Sequence, residues 1–183
     1  MNFKTYDQWN EAIWADAGFI YKQAFKDKGA KPEEIIRNMF QKGICYLHVG
    51  YMEDQIVAMA LTGRLDEMNA LLIDYLAVHS DFQNHGLGKK MVNYIHEWSQ
   101  AKEHFDALII EVEAEKTPEN LKRIQFWQQC GFTLTNYTHH YIWVPEPYQA
   151  MYVQIKSKHK DFTGEDLFKH IGKFHKVSFQ KKR

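Results

Sequence analysis

The chain has 183 residues, 45% hydrophobic and 25% charged, a balance that suits one globular domain with a full core and excludes a disordered chain. Its 23 Lys and Arg residues match its 23 Asp and Glu residues, so no overall basicity argues for nucleic acid or an anionic membrane as a partner. No apolar stretch approaches the ~18 residues of a membrane span, the polar start MNFKTYDQWNE lacks a signal-peptide core, and Cys45 and Cys130 have neither metal nor disulfide spacing, so a reducing, cytoplasmic setting is expected.

Residues 2–6 form a short candidate strand. Trp9, Ile13, Ala17, Ile20 and Ala24 recur at helical spacing, which predicts a helix over Asp7–Phe25. Pro32 followed by Glu33-Glu34 starts a second helix that runs to about Lys42 and stops at Gly43. Ile44–Tyr51 and Gln55–Leu65 are two strands joined by the polar turn Met52-Glu53-Asp54. After the connection Arg64–Asn69 comes the apolar run Leu71–Val78, a buried central strand that completes an antiparallel meander.

A polar turn, Gln83-Asn84-His85-Gly86-Leu87-Gly88, then opens an amphipathic helix over Gly86–Gln100 with Leu87, Met91, Tyr94, Ile95 and Trp98 on one face. A glycine-bearing turn from strand to helix is an anion site. The first amides of the helix lack intrahelical partners, and the helix dipole favours negative charge there. Phe105–Glu113 is the next strand, and the strand–helix–strand crossover implies that it pairs in parallel with Leu71–Val78. Thr117-Pro118-Glu119 caps a helix that ends at Gly131. Phe132–His139 and Tyr148–Lys156 are strands, linked through Pro145 and Pro147. Thr163 caps a last helix with Leu167, Ile171 and Phe174 on one face.

Two common phosphate motifs fail on the turn. It is too short for a P-loop, and Met91 stands where a dinucleotide fingerprint has its third glycine. Gln83-x-x-Gly86-x-Gly88 instead resembles the acetyl-CoA pyrophosphate loop of the GNAT superfamily of acyl-CoA N-acyltransferases. Asn120 followed by Phe126-Trp127-Gln128-Gln129-Cys130-Gly131-Phe132 resembles that family's second signature, at the family's separation from the first. The element order from Asp7 to Lys156 matches as well.

The resemblance implies a mixed, mostly antiparallel α/β sheet with helices on both faces. It predicts an N-acetyltransferase domain over 1–156, with 157–183 as a C-terminal helical extension packed on it. Acetyl-CoA would be the co-substrate, held by Leu76, Ala77, Val78, Gln83, Asn84, His85, Gly86, Leu87, Gly88, Lys89, Asn120 and Trp127. A small-molecule or peptide amine would be the acceptor, and a homodimer through the last strands would suit the family. No metal is expected: adjacent His139 and His140 on a strand point to opposite faces.

One departure matters. The family usually has a Tyr, the proton donor to the departing thiolate, where this chain has Trp127, and an indole N–H is no useful acid. For the base, Glu111 is the first candidate, with Glu113 on the same strand face and Asp74 as the second. Close carboxylates would raise one another's pKa. Tyr75 is expected on the face opposite Asp74. Asp66, Glu67, Asp74, Glu111, Glu113 and Glu115 would border an acidic acceptor side, opposite Lys89 and Lys90, so a cationic amine is expected. The lysine-rich tail is expected to be a solvated face. Two other readings stand beside the enzyme: an acyl-CoA-binding sensor with little catalysis, and a nucleotide-phosphate protein of unrelated fold.

Overall fold

The computed structural model describes residues 1–26, 29–156 and 161–180. Lys158, Lys160, Lys181, Lys182 and Arg183 of the basic tail lie outside them. Seven strands make one sheet: β1 (Asn2–Tyr6), β2 (Cys45–Met52), β3 (Gln55–Leu65), β4 (Ala70–Val78), β5 (Ala107–Glu113), β6 (Thr133–His140) and β7 (Pro147–Gln154), in the order β1-β2-β3-β4-β5-β7-β6. Every neighbouring pair is antiparallel except β4–β5.

The helices are α1 (Glu11–Phe25), α2 (Glu33–Gln41), α3 (Leu87–Trp98), α4 (Pro118–Gln129) and α5 (Gly164–Phe179). Their starts follow local chemistry. Asn10, Thr117 and Thr163 each accept a hydrogen bond from a backbone amide three residues on, which satisfies one orphan donor of α1, α4 and α5. The expected start of α1 at Asp7 moves to Asn10 for this reason.

One face of the sheet packs α1, α2 and α5 around Trp14, Ile20, Ile36, Met39, Leu167, Phe168, Ile171 and Phe174. The other packs α3 and α4 through Met91, Val92, Ile95 and Trp127. The tail helix is therefore part of the core through its apolar face, while Lys169, Lys173 and Lys176 stay exposed on the opposite, solvated face. Full burial of each large apolar side chain contributes roughly 1.5–3 kcal/mol, enough to fix α5 on the sheet. Its far end is held by Lys42 Nζ, which donates to the carbonyls of Val177 (2.6 Å) and Gln180.

Two features of β4 position the site. It pairs with β5 only from Ala70 to Leu72, opposite Ala107 to Ile109. Beyond that point β4 stays with β3 and β5 stays with β7, so the two parallel strands separate. The second feature is a bulge. Leu61 of β3 faces Tyr75 and Thr62 faces Ile73, so Asp74 is the extra residue. The bulge breaks the period of two and corrects the expectation for Tyr75. Tyr75 and Asp74 reach the same partner, Lys31, and do not point to opposite faces.

Candidate functional site

The separating strands open a cleft of about 750 Å³. Leu76, Ala77, Val78, Gln83, Asn84, Gly86, Leu87, Gly88, Lys89 and Trp127 line it, with Asp74 and Glu111. Among the described residues, the β4 edge that faces β5 has no strand partner along Ile73–Val78, so its amides and carbonyls are open to a ligand. Gln83 takes one of them, donating from Nε2 to the Val78 carbonyl at 3.2 Å.

At one end of the cleft is the start of α3. Gly86 caps it in the left-handed region at φ 73°, where a side chain is strained, and a Cβ there would meet nothing within 4 Å. Gly88 faces only the ring of Phe126 and the side chain of Leu76. The amides at this helix start, with Lys89 beside them, form an open concave cradle for an anion. Arg123 of α4 adds a second cation to the lining, one that spacing alone did not single out. Those residues fit a pyrophosphate, and the unpaired β4 edge fits an amide-bearing arm such as pantetheine.

Two expected ligand residues sit elsewhere. Asn120 is buried at the start of α4, where its amide donates to the Glu115 carbonyl and its oxygen accepts from Arg123. It does not line the cleft. His85 is exposed outside the lining, with Nδ1 3.4 Å from the Phe82 carbonyl. Trp127 is 7% exposed and packs edge-on against Phe126 and Phe132, so its bulk forms cleft wall and core together.

At the other end is a chain of polar groups buried among aromatic rings. Asp74 Oδ2 accepts from Lys31 Nζ at 2.6 Å. Lys31 Nζ is 3.4 Å from His175 Nδ1, and His175 Nε2 is 2.8 Å from Glu111 Oε2. Tyr141, in the link from β6 to β7, donates its hydroxyl to the other Glu111 oxygen. The rings of Tyr75 and Phe174 flank the Lys31 ammonium at 5.1 and 5.7 Å.

Burial pushes the Glu111 carboxyl up, but the His175 bond, the Tyr141 bond and the Lys31 charge outweigh it and hold Glu111 below the usual carboxylate range. This corrects the expectation of a raised pKa. Glu113, the expected like-charged neighbour, pairs with Arg123 at 3.7 Å. Burial and the Glu111 charge push the Tyr141 hydroxyl well up, so it stays a proton-bearing donor.

The acidic rim also shrinks. Asp66 pairs with Arg64 at 3.0 Å, and Glu67 pairs with Lys173 and His170, in a separate groove at the foot of α5. Among the described residues no cluster could hold a metal ion. His139 instead stacks on Phe168 at 4.4 Å.

A sheet parted at two parallel strands, with a helix-start anion cradle at the parting, defines a protein with a site for an extended, anion-bearing ligand. The Acetyltransferase (GNAT) family model matches residues 6–132, and the chain belongs to that family. Acetyl-CoA is accordingly its co-substrate, and the reading as a nucleotide-phosphate protein of unrelated fold is overturned.

The fold is similar along its whole length to a protein from Bacteroides thetaiotaomicron described as a GNAT-family acetyltransferase. The TM-score is 0.71, identity is 17%, and all of both chains is covered. An aminoglycoside 6'-N-acetyltransferase complexed with coenzyme A matches with a TM-score of 0.68 and 12% identity, over 87% of this chain and all of the other. A chimera of the Vibrio cholerae spermidine N-acetyltransferase matches with a TM-score of 0.67 and 11% identity, over 85% of this chain and 97% of the other. No functionally curated protein matches the chain in sequence.

Proposed function

We propose that the protein transfers the acetyl group of acetyl-CoA to a primary amine on a small cationic molecule or a peptide, and that Glu111 handles the amine's proton. One observation carries this reading. A carboxylate held in its charged form lines the same cleft as the anion cradle. Acetyl-CoA supplies an activated carbonyl. The chain's own residues do the rest.

The α3 amides and Lys89 would hold the phosphates, and the open β4 edge near Leu76 and Val78 would hold the arm and polarise the carbonyl. Glu111 would bind an incoming ammonium. A carboxylate with a lowered pKa is a weak base for a free ammonium. Attack therefore starts from the amine after the ammonium has lost one proton to water. The remaining N–H becomes acidic as the lone pair is shared with the acetyl carbon, and Glu111 is suited to take that second proton as the thiolate leaves. Trp127 gives no acid, and Tyr141 is committed to Glu111, so the thiolate would leave without a protein proton donor. The fold neighbours that act on aminoglycosides and spermidine use acceptors of this polyamine character.

Support for the two-part division, 1–156 as the transferase domain and 157–183 as its extension, comes from the packing of α5 on the sheet. Both cysteines are free thiols, which agrees with a reducing cytoplasm.

The test is thiol release from acetyl-CoA with a panel of polyamines, aminoglycosides and peptide amines. Release with at least one amine, lost in Glu111→Gln, is expected. No release from the panel by a protein that CoA stabilises against heat would favour the second reading, an acyl-CoA sensor. That reading draws on Lys31, whose ammonium already sits beside Asp74 and His175, and on Trp127.

A further inference from the structure

We infer that His175, carried by the C-terminal helix α5, is a positioning residue of the acyl-transfer centre that ties Glu111 to the Lys31–Asp74 pair. The inference rests on the proposed role of Glu111, but the tie itself can be tested without turnover.

The geometry sets the hydrogen bonds. An ammonium has donors only, so His175 Nδ1, 3.4 Å from Lys31 Nζ, is the acceptor. Nε2 then carries the hydrogen and donates to Glu111 Oε2 at 2.8 Å. With Tyr141 donating to the other oxygen, the carboxylate is held at both ends and its remaining lone pairs are left for the cleft. Glu111 is 15% exposed and His175 18%, so a charge there depends on such donors.

The groups that face Glu111 come from several elements. They are His175 of α5, Tyr141 of the β6–β7 link, Lys31 before α2, and more distantly Asp74 of β4, His139 of β6 and Tyr148 of β7. Among the described residues only His175 bonds both to Glu111 and to the Lys31–Asp74 pair. The rest of α5 is built to hold it there. Phe168 stacks on His139, and Phe174 lies over Gly63, where no Cβ would fit. The family model ends at residue 132, so this histidine lies outside the segment that the family defines.

The test uses the full chain with His175→Ala, His175→Gln and, as a control on the same helix, Lys173→Ala. Carbon-detected NMR follows the titration of the Glu111 carboxyl, and acetyl transfer to the best amine of the panel is followed against pH. In the parent protein Glu111 titrates below the ordinary carboxylate range. In H175A its titration and the acid limb of activity both move up by about one pH unit or more, and kcat falls about tenfold. The KM for acetyl-CoA is unchanged. H175Q keeps an N–H donor and recovers much of both, and K173A matches the parent.

If H175A does not fold, His175→Asn, whose amide is too short to reach Glu111, makes the same comparison. Glu111 titrating alike in the parent and in H175A or H175N overturns the inference. So does K173A matching H175A. If no amine is acetylated, the proposed function fails, and the NMR titration still decides the tie.

Discussion

Lys31 Nζ lies 2.6 Å from Asp74 Oδ2, and both side chains are only 5% exposed. The pair joins the segment before α2 to the bulge of β4, inside the site. Removing one partner of such a pair leaves the other charge buried alone, which costs about 3–5 kcal/mol. Lys31→Met is therefore expected to destabilise the protein by about that amount, read as a lower urea midpoint with an unchanged slope. Lys31→Met with Asp74→Asn, which removes the stranded charge, should regain part of the loss. Equal stability of the single and double variants would contradict a buried charge at Asp74.

Gly63 of β3 lies under the ring of Phe174, and a Cβ on it would come within 2.2 Å of that ring. An aromatic ring packed in the core cannot step aside cheaply. Gly63→Ala is expected to cost about 1–3 kcal/mol. Phe174 precedes His175, so the same change should displace the imidazole and raise the acid limb of activity. Thermal unfolding and a pH–rate profile would check the two effects, and a fully active variant of unchanged stability would exclude both.

The frame of this protein was legible in its sequence, because its signals are local. The apolar run Leu71–Val78, the glycine turn to Gly88 and the caps at Thr117 and Thr163 each act within a few residues of themselves. The glycine-capped start of α3 was legible for the same reason. Lys31, Tyr141 and His175 were not, because tertiary packing alone brings them to Glu111, from 64 positions away in the case of His175. The bulge at Asp74 was hidden by a different cause. A period of two assumes an unbroken ladder, and nothing in Leu72-Ile73-Asp74-Tyr75 marks the extra residue. The paired carboxylates failed for want of their cations: Glu113 and Glu67 look free in sequence until Arg123 and Lys173 arrive from other helices.

His48 is buried in β2 between Thr5 and Thr62, with ring contacts to each at 2.8 and 2.9 Å, and burial pushes its pKa down to about 3. The unfolded chain takes up a proton near the ordinary value of about 6.5, while the folded protein does not. The unfolded state therefore binds more protons as pH falls below that value. Stability from this group is whole above about pH 6.5 and is lost downward toward pH 3, at up to about 1.4 kcal/mol per pH unit. Urea denaturation between about pH 7 and 5 should show this loss, and His48→Gln should flatten it. A slope that is the same in both proteins would place the acid sensitivity elsewhere.

Asp66 and Glu67 are paired in their own groove, so the acidity of the cleft comes down to Asp74 and Glu111 against the single ammonium of Lys31. That leaves one negative charge for an incoming cation. The other end of the cleft carries Lys89 and the α3 amides. Low-dielectric walls focus such a field, which would set CoA and a cationic amine at opposite ends. Screening weakens attraction at this range, so the KM of the best cationic acceptor should rise several-fold between about 50 mM and about 500 mM salt. With Glu111 held charged, kcat should change little over the same range. A KM that stays flat would show that charge does not guide the acceptor, and recognition would then rest on the aromatic walls of Phe25 and Tyr75.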